Sequence, residues 1–387
     1  MDTEKVRSRF IKHFDGQTGN IYMSPGRINL IGEHTDYNGG FVFPGAVDKG
    51  IMAEVRPNGL DTVILYSIDL KDKVEFKVDD PKGPKATWAR YIYGVIQEMR
   101  ALGVDVKGFN AAFYGDVPLG AGMSSSAALE SCFAFAINDL FANGRISKWD
   151  MVLAGQATEH KYVGVNCGIM DQFAVGMGKK DCAILLDCNT LSYRYSKIAL
   201  EDASIVITNT NKPHSLASSA YNVRRAQCEH ALNELKEVKP ELKALGELGN
   251  DEFNQIAGHI EEVLERHRAR HAVYENNRTL DAVKALENND VTEFGRLMNE
   301  SHFSLRDDYE VTGKELDTLA EIAWQQEGVI GSRMTGAGFG GSTVSLVKND
   351  AIEAFKKNVG EAYTEKIGYA PSFVVASISD GTHRIEG

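Results

Sequence analysis

A run of glycines and serines, Pro118–Glu130, contains the residue types that hold phosphate groups in proteins. Alternation over Phe109–Tyr114 predicts a strand before this run, and helical spacing over Ser126–Phe141 predicts a helix after it. A strand-to-helix turn directs free backbone N–H groups and the positive end of the helix dipole at one point. Glycines let the backbone approach a pyrophosphate, and serine hydroxyls add donors and a potential magnesium ligand. The sequence therefore predicts a nucleotide triphosphate site.

This glycine-serine run differs from the two common phosphate motifs. No lysine follows Gly122, as a Walker loop requires, and Ser125 stands where a dinucleotide fingerprint has its third glycine. A simple N-capped helix after a turn is the alternative interpretation.

Four polar residues, Arg27, Glu33, His34 and Asp36, follow one another closely in a segment that we expect to be a glycine-punctuated loop. Carboxylates, an imidazole and a fixed cation can hydrogen-bond the vicinal hydroxyls of a small polar molecule such as a sugar. A metal site is the alternative, although helical histidine spacing and thiolate partners are missing. A solvated acidic loop is disfavoured by the apolar residues in between.

A second acidic candidate, Asp171, falls in a segment of small and apolar residues, 164–172, that we expect to be a compact loop. A lone carboxylate there would be costly unless it is paired, and Arg27 is the candidate partner. An adjacent guanidinium would keep the carboxylate ionised and able to receive a proton from a hydroxyl. Glu159, on the preceding predicted helix Lys148–Val163, could reach a magnesium ion from the other side.

Three late glycines, Gly336, Gly338 and Gly341, match the dinucleotide fingerprint in spacing. The segment that follows, Ser342–Val347, alternates as a strand, and no helix opens there, so we reject a dinucleotide-binding fold. A glycine-rich hairpin packed close to a ligand is the better interpretation, with a purely structural tight turn as the alternative.

The composition describes an ordinary globular protein: 387 residues, 43% hydrophobic and 25% charged. Strands are grouped in the first half and helices dominate from about residue 215, which favours an α+β fold with domains 1–209 and 210–387. Two of the predicted helices in that half are Phe253–Arg268 and Arg270–Glu287. A net charge of −12 argues against nucleic acid or an anionic membrane as partner.

Processing and redox signals are few. The charged N-terminus lacks the apolar core of a signal peptide, and five cysteines without a CxxC pair argue against a disulfide framework. We therefore expect a cytoplasmic protein with reduced thiols, and we expect a monomer.

Four stretches resemble, in order and separation, the GHMP small-molecule kinases, and the resemblance covers nearly the whole chain. The first resembles the galactokinase signature, a sugar loop that other members of the superfamily lack. The stretches are Gly26–Gly40, Pro118–Glu130, Asn166–Gln172 and Thr335–Gly341.

The resemblance implies ATP-dependent phosphorylation of the C1 hydroxyl of D-galactose to galactose 1-phosphate, the first committed step of the Leloir pathway. It implies Mg²⁺ with ATP as co-substrate. It also implies an N-terminal domain like domain 2 of ribosomal protein S5 and a ferredoxin-like C-terminal domain with helical additions, with the site between them.

The same resemblance implies that Asp171 is the base toward the sugar hydroxyl and that Arg27 stabilises the transition state. Whether Asp171 removes the proton or mainly orients the hydroxyl stays open. The residues that would bind the sugar are Glu33, His34, Thr35, Asp36, Gly168, Asp171 and Tyr221. Those that would bind the nucleotide are Ser67, Trp88, Tyr91, Gly120, Ala121, Gly122, Met123, Ser124, Ser125 and Ser126, and the metal ligands would be Ser126 and Glu159.

Three hypotheses remain: a galactose kinase, another GHMP kinase such as one for N-acetylgalactosamine, and a sensor that binds galactose and ATP without turnover. The intact run Ser124–Ala127 and Asp171 disfavour the sensor.

Overall fold

Strands precede helices in the first half of the chain, as the alternating segments predict. The computed structural model describes residues 1–117, 122–198, 200, 202–212 and 217–385. The elements of the first half are α1 (Thr3–His13), β1 (Asn20–Asn29), β2 (Phe41–Val42), β3 (Pro44–Pro57), β4 (Thr62–Ser67), β5 (Asp72–Lys77), α2 (Thr87–Ala101), β6 (Phe109–Gly115), α3 (Ser125–Ala142), α4 (Lys148–Thr158), a π-helical turn (Glu159–Val163), α5 (Met170–Met177), β7 (Cys182–Asp187) and β8 (Tyr193–Lys197).

The second half is mostly helical. Its elements are β9 (Ala203–Asn209), α6 (Ala217–Val238), α7 (Asn250–Ile256), α8 (Val263–Glu287), α9 (Val291–Asp307), α10 (Gly313–Trp324), β10 (Val329–Thr335), β11 (Ser342–Lys348), α11 (Ile352–Ile367), β12 (Ser372–Ala376) and β13 (His383–Ile385).

The strands of the described residues form three sheets. A six-stranded sheet has the order β13-β1-β3-β6-β4-β5, a four-stranded sheet has the order β10-β11-β9-β12, and a small sheet has the order β2-β7-β8. Strand β4 pairs with β6 in parallel. The pairings of β6 with β3 and of β4 with β5 are antiparallel. Because the strands are grouped and mainly antiparallel, the α+β prediction is confirmed.

The division of the chain at residue 209 stays a prediction, and two strands bear on it. β9, which ends at Asn209, pairs with β11 and β12 in the four-stranded sheet. β13, at the far end of the chain, pairs antiparallel with β1 in the six-stranded sheet.

Helices α2 and α3 bury their apolar faces against the six-stranded sheet. Phe109 and Phe113 of β6 pack on Phe133 of α3, and Ile92 and Met99 of α2 belong to the same core. Packing of this density fixes the position of the first turn of α3, where the glycine-serine run ends.

Four segment predictions were wrong. Arg27 lies on strand β1 and not in a loop, and Asp171 lies in the first turn of α5. The helix predicted over Lys148–Val163 changes to a π-helical turn at Glu159. The helix break predicted near residue 269 lies instead between Ile256 and Val263, since α8 is continuous over Val263–Glu287 and packs on α6 and α9.

Within the described residues, every helix is too short or too polar to cross a bilayer.

Candidate active site

A cleft of about 270 Å³ collects most of the predicted site residues on one wall or another. Pockets for drug-sized ligands span roughly 300–1,000 Å³, so this cleft suits a smaller polar molecule. The predicted residues that line it are Arg27, Glu33, His34, Asp36, Tyr91, Ser126, Glu159, Gly168, Asp171 and Tyr221.

Arg27 and Asp171 form an ion pair on the floor of the cleft. Arg27 Nε and Nη2 each lie 2.8 Å from Asp171 Oδ1, and the guanidinium also donates to the carbonyl of Gly122. Ser124 donates its hydroxyl to the other carboxylate oxygen, Oδ2. Arg27 reaches this point because the pairing of β1 with β3 shifts register between Pro25 and Gly26. The predicted pairing is confirmed, although both residues lie on regular elements and not in loops.

The sugar loop follows β1 directly. A short 3₁₀ turn, Asp36–Asn38, folds it back, and His34 has a left-handed backbone with φ of 61°. Gly168 approaches Asp36 so closely that a Cβ built on it would lie 1.7 Å from Oδ2 of the carboxylate. Only glycine fits at this position without displacing Asp36.

Burial shifts the pKa values of the loop residues. It raises the pKa of Asp36 to about 7, with a further contribution from the charge of Asp171. It lowers the pKa of His34 to about 3, with His271 as the next cause, so the imidazole is neutral.

Glu33 is 1% exposed and is held by protein donors at both oxygens. Asn29 donates to Oε2, the amide of Gly336 donates to Oε1, and Arg333 Nη1 lies 3.8 Å from Oε1. Burial raises the pKa of Glu33, and the two guanidiniums of Arg333 and Arg27 oppose this shift. The glycine hairpin between β10 and β11 therefore contacts the sugar loop through Glu33.

Ser126 and Glu159 both line the cleft, and the Ser126 hydroxyl is among the groups that lower the pKa of Glu159. Burial raises the pKa of Glu159 to about 7, and the charge of Asp171 adds to the shift. A second acid, Glu130, lies behind it, with its Oε1 buried and unpaired. Within the described part of the chain, neither Glu130 nor Glu159 has a basic side chain among the groups that set its pKa. Hard oxygen donors without a cationic partner are a donor set that Mg²⁺ fits.

The other predicted nucleotide residues lie around this cleft. Ser67 pairs with Asp72 across β4 and β5, and Trp88 Nε1 donates to the same Asp72 at 2.9 Å. Tyr91, one turn after Trp88 on α2, lines the cleft itself. Ser67 and Trp88 do not line it.

The described end of the glycine-serine run contacts the cleft floor. The carbonyl of Met123 accepts the N–H of Arg27 at 3.1 Å, and Ser125 is the first residue of α3. Gly120 and Ala121 lie outside the described residues.

Thr35 does not face the cleft. It is fully buried, and its hydroxyl contacts the carbonyls of Gly32 at 2.9 Å and Phe41 at 2.7 Å. Its observed contacts hold the loop and do not point toward a ligand.

Sequence reasoning missed the residues that support the site from behind. Arg333 is fully buried and donates to the carbonyl of Asn29 at 3.0 Å and to the hydroxyl of Ser301 at 3.1 Å. Tyr309, also fully buried, packs on the ring of His34 with centroids 4.8 Å apart. An arginine inside a strand of otherwise small and apolar residues was an available signal for the first, because such charges are rarely buried unless paired. Tyr309 had no signal of this kind.

Comparisons with known proteins agree with this geometry. The Galactokinase galactose-binding signature matches residues 8–57, the GHMP kinases N terminal domain matches residues 90–179, and the GHMP kinases C terminal matches residues 282–365. The mevalonate kinase of Methanococcus jannaschii shares the fold, with a TM-score of 0.67 at 16% identity, over 94% of this chain and 99% of that one. The fold and the site thus define a two-domain GHMP small-molecule kinase, a phosphotransferase.

Full-length relatives narrow the class. The chain is 54% identical to a galactokinase from Clostridium beijerinckii over 98% of each chain, and 50% identical to one from Lactiplantibacillus plantarum over 98% of this chain and 99% of that one. The chain is also similar to the crystal structure of Lactococcus lactis galactokinase complexed with galactose. The TM-score is 0.94 at 45% identity, over 98% of both chains. The chain belongs to the galactokinase family.

Proposed function

We propose that this protein transfers the γ-phosphoryl group of ATP to the C1 hydroxyl of D-galactose, which yields galactose 1-phosphate for the Leloir pathway. The observation that carries the proposal is the contact of Asp171 with both Arg27 and Ser124. This contact joins the sugar loop to the end of the glycine-serine run, so a hydroxyl beside Asp171 would face the phosphate site. Family membership supplies the substrate.

Asp171 accepts the proton of the C1 hydroxyl or orients that hydroxyl for attack. Its partner Arg27 is a permanent cation that holds the carboxylate in place through two contacts to Oδ1. The same guanidinium lies beside the carbonyl of Gly122 and can stabilise charge that spreads over the transferred phosphoryl oxygens. Positioning of the hydroxyl in line with the phosphorus accounts for much of the catalysis in such a site.

Ser126 and Glu159 would hold Mg²⁺. When bound, the ion would neutralise charge on the phosphate oxygens. The N-terminus of α3 and the backbone amides before it, from Gly120 to Ser125, would hold the phosphates. Ser67, Trp88 and Tyr91 would lie near the nucleotide base; Tyr91 lines the cleft, and Trp88 is one turn before it on α2.

The sugar would lie against Glu33, His34, Asp36, Gly168 and Tyr221. Their carboxylates, amide and phenol present both hydrogen-bond donors and hydrogen-bond acceptors, as vicinal hydroxyls require. Thr35 would act through the loop backbone and not by direct contact.

An ADP-release assay with galactose, N-acetylgalactosamine, glucose and mevalonate tests the proposal. Turnover with galactose well above that with glucose and mevalonate is expected. Preference for N-acetylgalactosamine would identify a different kinase of the same class, and saturable galactose binding without ADP release would identify a sensor.

We further propose a cytoplasmic monomer with galactose and ATP as its small-molecule partners, and with neither nucleic acid nor membrane among its partners. The five free cysteines agree with a reducing compartment.

A further inference from the structure

A chain of hydrogen bonds leads from His34, on the wall of the cleft, to a buried thiol on α6. The hydroxyl of Tyr37 lies 2.7 Å from His34 Nδ1, and the hydroxyl of Tyr309 lies 2.7 Å from that of Tyr37. Cys228 Sγ lies 3.2 Å from the hydroxyl of Tyr309. We refer to Tyr37, Tyr309 and Cys228 as the relay. Its members come from the 3₁₀ turn, from the segment after α9 and from α6, so only the tertiary fold brings them together.

The direction of every hydrogen bond in the relay follows from the contact between His34 and Ala337. His34 Nε2 lies 3.2 Å from the carbonyl oxygen of Ala337, which can only accept, so Nε2 must carry the proton. A neutral imidazole has one N–H, and therefore Nδ1 accepts from the hydroxyl of Tyr37. The oxygen of Tyr37 then accepts from Tyr309, and that of Tyr309 accepts from the thiol of Cys228.

The protonation states agree with this assignment. Burial lowers the pKa of His34 to about 3, so the ring is neutral near neutral pH. Burial raises the pKa of both phenols, and it raises the pKa of the Cys228 thiol to about 11. Every donor in the relay therefore keeps its proton.

The geometry around His34 leaves little freedom to rearrange. Its backbone is left-handed, which costs free energy for a residue with a Cβ and persists only when the surroundings enforce it. The rings of Tyr309 and Tyr37 pack on the imidazole with centroids 4.8 and 5.9 Å away. His271 packs on the other side of Tyr309 at 4.5 Å.

We propose that Tyr37 and Tyr309 are positioning residues that hold His34 as the neutral Nε2–H tautomer, so that His34 offers a sugar an N–H donor and never an acceptor. This inference rests on the proposed function and adds the polarity of one recognition contact. A sugar oxygen that accepts from Nε2 would share or replace the contact to Ala337. Because both ring nitrogens are committed, His34 is excluded as a general base.

The tautomer can be measured without turnover. Nitrogen NMR of the full chain labelled at histidine distinguishes a pyridine-type Nδ1 from a pyrrole-type one, with His34→Gln identifying the signal. We expect pyridine-type Nδ1 and protonated Nε2, unchanged between about pH 6 and about pH 8. A protonated Nδ1 or an imidazolium in the wild-type protein would overturn the inference, even if galactose is phosphorylated normally.

Tyr37→Phe removes the donor to Nδ1 and keeps the ring. We expect some of the Nδ1–H tautomer beside the Nε2–H form, because only the contact to Ala337 then favours Nε2–H. The KM for galactose should rise by about threefold to tenfold, the size of one neutral hydrogen bond. The KM for ATP should stay unchanged. Tyr309→Phe leaves that donor in place, so its effect on the KM for galactose should be smaller.

Tyr274→Phe is the matched control, because it loses a hydroxyl bond to Asn254 at 2.9 Å, away from the relay. It should match the wild type in both measurements. A single unchanged tautomer in Tyr37→Phe, together with a KM for galactose within about twofold of the control, would reduce the relay to a packing feature.

Discussion

The substitution Asp171→Asn separates the chemical role of this residue from its structural one. Asparagine keeps one oxygen that can accept from Arg27, and its amide can donate to Ser124 if that hydroxyl turns. The shape of the cleft floor is therefore preserved. The substitution removes only the negative charge and the ability to accept a proton.

Two magnitudes follow from the contacts. Loss of a proton acceptor should lower kcat by about 10²- to 10⁴-fold. The weakened ion pair leaves Arg27, whose side chain is 5% exposed, with one fewer charged partner, which should lower the free energy of unfolding by about 1–3 kcal/mol. A stability loss of that size leaves the protein folded in the assay, so it does not account for the loss of rate.

The chain offers a closely matched control in Asp139→Asn. Asp139 accepts from the hydroxyl of Tyr22 at 2.7 Å and from Arg384 at 3.2 Å, so it too has one hydroxyl and one arginine partner. The two aspartate side chains are similarly exposed, 32% for Asp139 and 30% for Asp171. Because Arg384 is 48% exposed and Arg27 only 5%, the control should lose less stability than Asp171→Asn, and it should keep its kcat.

The assay measures ADP release at saturating galactose and ATP, with galactose affinity from calorimetry and unfolding from thermal melts. The Asp171→Asn variant should bind galactose with nearly wild-type affinity. A kcat within about tenfold of the wild type would refute the assignment of the proton acceptor, because that loss falls below the range for general bases. An equal loss of kcat in Asp139→Asn would attribute the effect to stability instead.

Three further outcomes are expected. Gly168→Ala should lower kcat/KM for galactose by about 10²-fold, since the new Cβ displaces Asp36. Gly249→Ala is the control and should have no effect, because the space around Gly249 is open. Equal kinetics in the two variants would contradict the close approach of Gly168 to Asp36. Lowering the pH from about 8 to about 6 should raise the Mg²⁺ concentration needed for half-maximal activity, because Glu159 has a pKa of about 7 and cannot ligate the ion when protonated. A Mg²⁺ requirement that does not change with pH would argue against Glu159 as a ligand. Arg333→Met should lower the free energy of unfolding by about 3–5 kcal/mol in denaturant melts, because it leaves the buried carboxylate of Glu33 without its ion-pair partner. A loss below about 1 kcal/mol would mean that Glu33 is neutral.

Local patterns were sufficient for the strand and the helix that flank the glycine-serine run. The alternation of Phe109–Gly115 and the helical spacing after Ser125 are properties of neighbouring residues, so the strand and helix around the phosphate run were predictable. The residue types of the sugar loop, and the order of the four stretches, indicated the family. The pairing of Arg27 with Asp171 was predictable because a carboxylate among apolar residues needs a partner.

The tertiary structure alone decided how those groups are held. The charge on Glu33 depends on Arg333, about three hundred residues away in the chain, and the proton on His34 Nε2 follows from the contact of that nitrogen with the carbonyl of Ala337. The predicted segment type was also wrong where packing outweighs the local pattern. Arg27 was expected in a loop, but its backbone pairs with strand β3 in the six-stranded sheet. The sequence states which side chains are present, but burial and distant partners set their pKa values and hydrogen-bond directions, and these exist only once the chain has folded.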